Sequence, residues 1–207
     1  MSRTFFPEDA MTYYIRTATP ADAPAVLAVY APFVEHTNVS FEISVPSVEE
    51  YEARIRQKLE HSTFLVAVDE ASSRVVGFAY NGSFRERPAY DWASEISIYL
   101  APEHQGCGLG SVLLDALEEL MRAQGVVMSE ACITSSNEAS VAFHAKHGYA
   151  VCGEHHACGY KLGRWLDVTW MEKQLAELPA RPAPRRPASA AETARILAAA
   201  NARLHKK

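Results

Sequence analysis

The feature that most constrains the fold is a glycine-rich turn, Gln105-Gly106-Cys107-Gly108-Leu109-Gly110, between a strand pattern and a helix pattern. Residues 95–100 read Glu-Ile-Ser-Ile-Tyr-Leu, and such β-branched and aromatic residues favour a strand. After the turn, valine and leucine recur at helical spacing from residue 112 to residue 120. Glycines let the backbone approach a ligand closely, and unpaired N–H groups at a helix start attract anions. The turn therefore predicts a binding site for an anion such as a diphosphate.

The overall composition is that of a globular protein without a strong preference for polyanions. A length of 207 residues suits one well-buried domain with an appendage. The formal charge of −5 gives no general attraction to nucleic acid or to a membrane surface. No apolar run approaches the roughly 20 residues that span a bilayer, and residues 1–12 lack an apolar signal core. Four cysteines do not form a dense disulfide framework, so we expect a reducing, cytoplasmic setting.

A cluster of potential zinc ligands lies near the C-terminal end of the domain, at Cys152, His155, His156 and Cys158. Its spacing matches no common zinc finger. In addition, an alternating strand places neighbouring side chains on opposite faces. We therefore predict that the protein binds no metal.

The remaining patterns predict a mixed α/β domain over residues 13–176, after an N-terminal extension at residues 1–12. Capping boxes, which mark helix starts, are expected at Ser47-Val48-Glu49-Glu50 and at Ser135-Ser136-Asn137-Glu138. The first half of the domain is predicted to contain a strand at 13–16, a helix capped at 19–22 and reaching 33, an extended segment at 39–43, and a helix to about 59. Three strands follow at 64–69, 75–81 and 93–100. After the glycine turn we expect a helix to about 124, a strand at 126–133, a helix ending at Gly148, and strands at 149–154 and 166–173.

The character of the chain changes after the predicted domain. Residues 177–189 are rich in proline and arginine, which favours an extended linker. Residues 190–207 form a basic, alanine-rich tail that we expect to be helical or disordered. From Arg181 onward the sequence has seven lysines and arginines and one acidic residue, Glu192. Such a tail could bind a nucleic acid or an acidic partner, but a solvated tail is the favoured interpretation, and its function stays open.

Two groups of motifs carry a family resemblance. The glycine turn with its preceding strand, and the pattern Asn-x-x-Ser-x-x-x-His-x-x-x-Gly-Tyr at 137–149, resemble the acetyl-CoA-binding core of the GNAT family of N-acetyltransferases. The blocks Ala-Tyr-Asp-Trp at 89–92 followed by Glu95, Gly-Tyr-Lys at 159–161 and Trp-x-Asp-Val at 165–168 look more narrowly like the branch that acetylates phosphinothricin, methionine sulfone and methionine sulfoximine. The resemblance covers about residues 14–175.

The resemblance implies an α/β fold whose central strands are splayed to admit acetyl-CoA as co-substrate. Backbone groups of Ile98, Tyr99 and Leu100 would then hydrogen-bond the pantetheine arm, and the turn would hold the diphosphate. The full set of implied cofactor contacts adds Gln105, Gly106, Cys107, Gly108, Leu109, Gly110, Ser111, Asn137 and Ser140. We interpret Cys107 as a tolerated loop residue rather than a nucleophile.

The resemblance also implies the catalytic residues. Acetyl transfer requires a neutral amine, and Glu95 matches the position of the general base that removes the ammonium proton. His144 matches the position of a group that protonates or stabilises the departing thiolate, but a packing role near Ser140 is equally consistent with the sequence. Because no cysteine or serine has the partners of an activated nucleophile, we expect direct transfer without an acetyl-enzyme.

Acceptor recognition is expected in the loop before the Glu95 strand. An amino-acid carboxylate is bound well by the planar fork of an arginine, and both Arg85 and Arg87 are candidates between which the sequence does not decide. Further implied acceptor contacts are Pro88, Ala89, Tyr90, Trp92 and Asn137. Lys161 and Trp165 either close the site or serve packing. Relatives commonly form homodimers, which the resemblance extends to this chain.

The expected function is N-acetylation of a small amino acid or analogue, a small-molecule amine. Two alternatives stay open. One is transfer to another amine, such as a protein N-terminus, a polyamine or an aminoglycoside. The other is a CoA-binding module without catalysis.

Overall fold

A computed structural model describes residues 12–205, so the predicted N-terminal extension lies almost entirely outside the described residues. The strands are β1 (Tyr13–Thr17), β2 (Phe64–Asp69), β3 (Arg74–Ser83), β4 (Ala93–Leu100), β5 (Met128–Thr134), β6 (Ala150–Lys161) and β7 (Arg164–Gln174). The helices are α1 (Ala23–His36), α2 (Val48–His61), α3 (Leu109–Ala123), α4 (Glu138–Lys146) and α5 (Ala190–Leu204). None of the helices in this part of the chain has the length and apolarity needed to cross a membrane.

The seven strands form one mixed sheet in the order β1-β2-β3-β4-β5-β7-β6. Every neighbouring pair is antiparallel except β4 and β5. The parallel pairing of β4 and β5 runs only from Ala93↔Met128 to Ile96↔Ala131, although both strands continue further. The strands therefore part after Ile96, which confirms the predicted mixed α/β fold with splayed central strands.

Each face of the sheet carries its own apolar cluster. On one face, α3 and α5 pack on the sheet through fully buried leucines such as Leu113 and Leu117. On the other face, α1 and α2 cover Phe64, Val66 and Phe78. Residues that alternate along β4 consequently point into different environments, and the position of Glu95 places it on the α1/α2 face together with Tyr99.

Two predicted helix starts have different outcomes. Ser47 caps α2 as predicted, because its hydroxyl oxygen accepts a hydrogen bond from the Glu50 N–H at 3.1 Å. The predicted capping box at Ser135 is wrong. The cap of α4 is Asn137, whose side-chain oxygen accepts from the Ser140 N–H at 3.2 Å, whereas the Ser135 hydroxyl pairs with Thr169. An Asn two residues later competes for the same cap, and the pairing of Ser135 with β7 decides between them.

The predicted extended segment at 39–43 and the predicted strand at 149–154 also require correction. Residues 39–43 form an irregular loop with bends rather than an extended segment. Strand β6 continues to Lys161, far beyond its predicted end, with an irregular register between His155 and Gly159. Glycines and paired histidines give this segment little strand propensity of its own, and its pairing with β7 supplies the order.

Residues 190–204 fold onto the domain instead of forming a solvated tail. Helix α5 packs against α3 and β1, and it buries Ile196 and Ala200 in the core. The Asn201 side chain accepts a hydrogen bond from the Ile15 N–H at 2.7 Å and donates to the Ile15 carbonyl at 3.0 Å. Asn201 thus occupies the open edge of β1 in the way that a further strand would.

Candidate active site

A groove of about 560 Å³ opens where β4 and β5 part, within the range of small-molecule sites. Its walls are the end of β4, the glycine turn and the first turns of α4. A smaller cleft adjoins it between the two strands and reaches His144. The residues that line the groove include Ile98, Tyr99, Leu100, Gln105, Gly106, Gly108, Gly110, Ser111, Asn137 and Ser140.

The glycine turn is built for close backbone approach. Gly106 and Gly108 have φ angles of 75° and 88°, a left-handed conformation that other residues adopt only with strain. Gly110 lies in the first turn of α3, where an added Cβ would be 3.2 Å from Leu100 Cδ1. The N–H groups of this first turn have no acceptor within the helix, and they therefore form an anion site at the mouth of the groove.

Glu95 lies one residue before the point at which the paired section of β4 and β5 ends. It is opposite Gly82 on β3 and Glu130 on β5. Burial raises the pKa of the Glu95 carboxyl, and the cationic side chains of Arg85 and Lys58 oppose that rise. A carboxyl group with a raised pKa in a partly buried position is suited to take up a proton near neutral pH.

The two candidate arginines differ in position. The Arg85 guanidinium stacks on the Phe84 ring at 4.1 Å and lies 5.2 Å from the centre of the Trp170 ring on β7. The positive charge of Arg85 lowers the pKa of Glu95, so the two side chains lie on the same face of the sheet. Both arginines are exposed residues, and Arg87 lies directly before the turn at Pro88–Tyr90. Of the two arginines, Arg85 is the one whose charge acts on Glu95.

His144 is buried, with 3% of its surface exposed. Its Nδ1 lies 2.8 Å from the Ser140 carbonyl oxygen. Because a carbonyl only accepts, Nδ1 carries the proton, and Nε2 is the acceptor of the neutral ring. Burial and the neighbouring His147 lower the pKa of His144, while the bond to Ser140 opposes that shift. The ring is therefore neutral near pH 7, without a proton on Nε2.

Comparison with known proteins identifies the family. The acetyltransferase (GNAT) domain family matches residues 15–170. The chain belongs to the GNAT family.

Relatives of this GNAT enzyme include proteins with named substrates. It is 38% identical over 173 residues to a phosphinothricin N-acetyltransferase of Streptomyces viridochromogenes, covering 84% of this chain and 93% of that protein. It is 33% identical to the L-methionine sulfoximine/L-methionine sulfone acetyltransferase of Pseudomonas paraeruginosa, covering 84% of this chain and all of the relative. The crystal structure of a Sinorhizobium meliloti phosphinothricin acetyltransferase with acetyl-CoA superposes with a TM-score of 0.79 at 35% identity, over 84% of this chain and 94% of that one.

The GNAT enzyme is accordingly an acetyl-CoA-dependent N-acetyltransferase, and its groove fits that co-substrate. Beyond Ile96 the β4 backbone has no strand partner on its β5 side, so its polar groups face the groove. Gln105 Nε2 donates to the Leu100 carbonyl at 3.0 Å and thereby holds the end of β4 against the turn. Two residues of the expected cofactor set lie outside the groove lining: Cys107 donates to the His104 carbonyl, and the Leu109 side chain is buried in the core.

The residues expected to contact the acceptor are only partly brought together. The Trp92 indole donates to the Ala183 carbonyl at 2.8 Å, so it faces the C-terminal segment. Tyr90 packs edge-on against Phe84, and Pro88 and Ala89 form the exposed turn beside it. Lys161 donates to the Ser40 carbonyl at 2.6 Å and is buried, which fits the packing interpretation. Asn137 lies at the mouth of the groove, where its side-chain oxygen caps α4.

Sequence reasoning missed three residues around Glu95. Lys58 reaches the site from α2, while Trp170 and Cys132 are paired neighbours on β7 and β5. A lysine on an amphipathic helix and a tryptophan in a strand carry no local signal of a site. Burial raises the pKa of the Cys132 thiol to about 12, so this cysteine is not an activated nucleophile. The four cysteines, all within the described residues, form no disulfide.

Proposed function

We propose that this enzyme transfers the acetyl group of acetyl-CoA directly to the amine of a small amino acid or analogue of the phosphinothricin or methionine sulfone type, with Glu95 as general base. The relatives named above support this acceptor class. The observation that carries the proposal is the half-buried Glu95 carboxyl beside the splayed strands, with the Arg85 cation held toward it. The bound co-substrate supplies the acetyl thioester.

In this proposal each residue has one task. Arg85 binds the acceptor carboxylate with its planar fork. Glu95, with its raised pKa, accepts the proton of the acceptor ammonium, directly or through water, and leaves the amine neutral for attack. His144 offers Nε2 as a hydrogen-bond acceptor in the cleft and is not a proton donor at neutral pH. A thiolate leaves readily and needs little further help.

The decisive variant is Glu95→Gln, which keeps the size and polarity of the side chain but removes its basicity. We expect kcat to fall by roughly 10²- to 10⁴-fold, the usual contribution of a general base. The acetyl-CoA Kd, measured by calorimetry, should stay within about twofold because the turn and β4 are untouched. In the wild type, kcat/KM should rise with pH through the raised pKa of Glu95, and this limb should vanish in the variant.

Glu119→Gln is a matched control, because it makes the same chemical change on the exposed face of α3. It should leave kcat and the pH profile unchanged. Wild-type turnover by Glu95→Gln at every pH would show that Glu95 is not the general base.

The acceptor class is tested by measuring CoA release with two groups of amines. The first group is phosphinothricin, methionine sulfone and methionine sulfoximine, and the second is spermidine, an aminoglycoside and a peptide N-terminus. A preference for the second group would contradict the proposed acceptor class.

We further propose that two copies associate through the β6–β7 hairpin and that the enzyme acts in a reducing, cytoplasmic setting. The hairpin exposes Val151, Tyr160, Leu162 and Trp165, of which Trp165 is 67% exposed. Tyr160 and Trp165 are paired across the hairpin with ring centres 5.3 Å apart, and exposed apolar side chains that lie together favour association. The cysteines without disulfides support the reducing setting.

A further inference from the structure

A lysine from α2 extends over the sheet beside Glu95. Lys58 lies in the last turn of α2, and its Nζ is 4.3 Å from the centre of the Tyr80 ring on β3. A Cβ added at Gly82 would be only 2.7 Å from the same Nζ. The ammonium group can therefore occupy this position because residue 82 has no side chain.

Strand register puts this ammonium next to the proposed base. Gly82 is the direct partner of Glu95 in the β3–β4 pairing, and Tyr80 follows on the same face two residues away. Lys58 and Glu95 are close enough to shift each other's pKa, but their charged atoms do not form an ion pair within 4 Å. Among residues 12–205, the Lys58 ammonium donates no hydrogen bond, and its contact is the face of Tyr80.

Arg85 is on the opposite side of Glu95. Lys58 sits over β3, whereas the Arg85 guanidinium lies near Trp170 on β7, and Glu95 on β4 is between these strands. Both cations lower the pKa of Glu95. The pKa of Lys58 is in turn raised by Glu95 and lowered by Arg54. An acceptor whose amine reaches Glu95 can thus direct one group toward Arg85 and another toward Lys58.

We infer that Lys58 binds an anionic group on the side chain of the acceptor, while Arg85 binds the α-carboxylate. The inference rests on the proposed function and narrows its acceptor to amino acids with a negatively charged side-chain group, such as a phosphinate. The Lys58 ammonium is partly buried, lies over one aromatic face and has no hydrogen-bond acceptor among the described residues, so its donors are available to a ligand. An anionic oxygen accepts charge-assisted bonds from them.

The test compares two acceptors in wild type and Lys58→Met. Methionine keeps the apolar stem over Tyr80 and removes the charge. Phosphinothricin carries an anionic phosphinate, whereas the sulfone of methionine sulfone is neutral. A lost charge-assisted bond is expected to lower kcat/KM for phosphinothricin by about 10- to 100-fold. For methionine sulfone the expected fall is less than about threefold, and Lys58→Arg should largely keep the wild-type preference.

Gly82→Ala is a second, independent variant, because the new methyl group displaces the ammonium without removing it. It should lower kcat/KM for phosphinothricin selectively as well. Circular dichroism and acetyl-CoA affinity report whether both variants fold. Equal losses in kcat/KM for the two acceptors, or a shifted pH profile with both, would show that Lys58 acts on Glu95 and would overturn the inference. Unchanged kinetics in the variants would overturn it as well. Wild-type enzyme that acetylates neither acceptor would refute the proposed function and this inference together.

Discussion

A buried amide network around Asn81 offers a sharp test of how the strands next to Glu95 are held together. Asn81 on β3 is fully buried, immediately before Gly82. Its Oδ1 accepts from the Thr63 N–H at 2.8 Å, and its Nδ2 donates to Ser94 Oγ at 2.9 Å and to Gln124 Oε1 at 3.3 Å. One side chain thus joins the start of β2, strands β3 and β4, and the end of α3.

The cost of Asn81→Ala follows from the groups that lose their partners. Ser94 Oγ keeps its 2.6 Å bond to the Gly82 carbonyl. The Thr63 N–H and Gln124 Oε1 are left without a partner in a buried setting. Each such group costs about 1–3 kcal/mol, so we expect a loss of about 4 kcal/mol in the free energy of unfolding. That is a large part of the ~5–15 kcal/mol that stabilises a typical domain.

Urea unfolding followed by tryptophan fluorescence measures this loss, with equal m-values as the check that both states are comparable. Gln57→Ala truncates an amide on the exposed face of α2 and should change stability by less than about 0.5 kcal/mol. Because Gln124→Ala removes one of the stranded groups, the double variant should cost less than the sum of the single ones. A loss for Asn81→Ala no larger than that for Gln57→Ala would refute the reasoning.

Two further predictions concern pH and assembly. Since burial lowers the pKa of His144, the native state favours the neutral ring, and the unfolded chain binds a proton first as pH falls below about 6.5. The free energy of unfolding of the wild type should therefore fall as the pH decreases from about 6.5 to the lower native pKa. Urea unfolding at several pH values should show a less steep fall in His144→Gln. A steeper fall in the variant would contradict the assignment. Trp165→Glu places a charge on the exposed hairpin and should convert a dimer into a monomer. Size-exclusion chromatography with light scattering measures the oligomeric state. A monomeric wild type would exclude the proposed interface.

Features set by short-range backbone chemistry could be predicted from sequence. The Ser47 cap, the glycine turn before α3 and the order of strands and helices depend on residues a few positions apart, and they are found as expected. Where two local signals competed, as at Ser135 and Asn137, sequence alone chose the wrong one. The weakly patterned β6 was predicted too short because its partner strand supplies the order.

The sequence by itself determined the element order, the anion turn and the family resemblance, because these reside in contiguous motifs. Only the tertiary structure decided which side chains lie near one another: Lys58 and Arg85, rather than Arg87, act on the pKa of Glu95, and Asn201 lies on the edge of β1. Asn201 and Ile15 are 186 positions apart in the chain. Such contacts depend on strand register and helix placement, which fix one face and one depth for each side chain, and no local pattern encodes them.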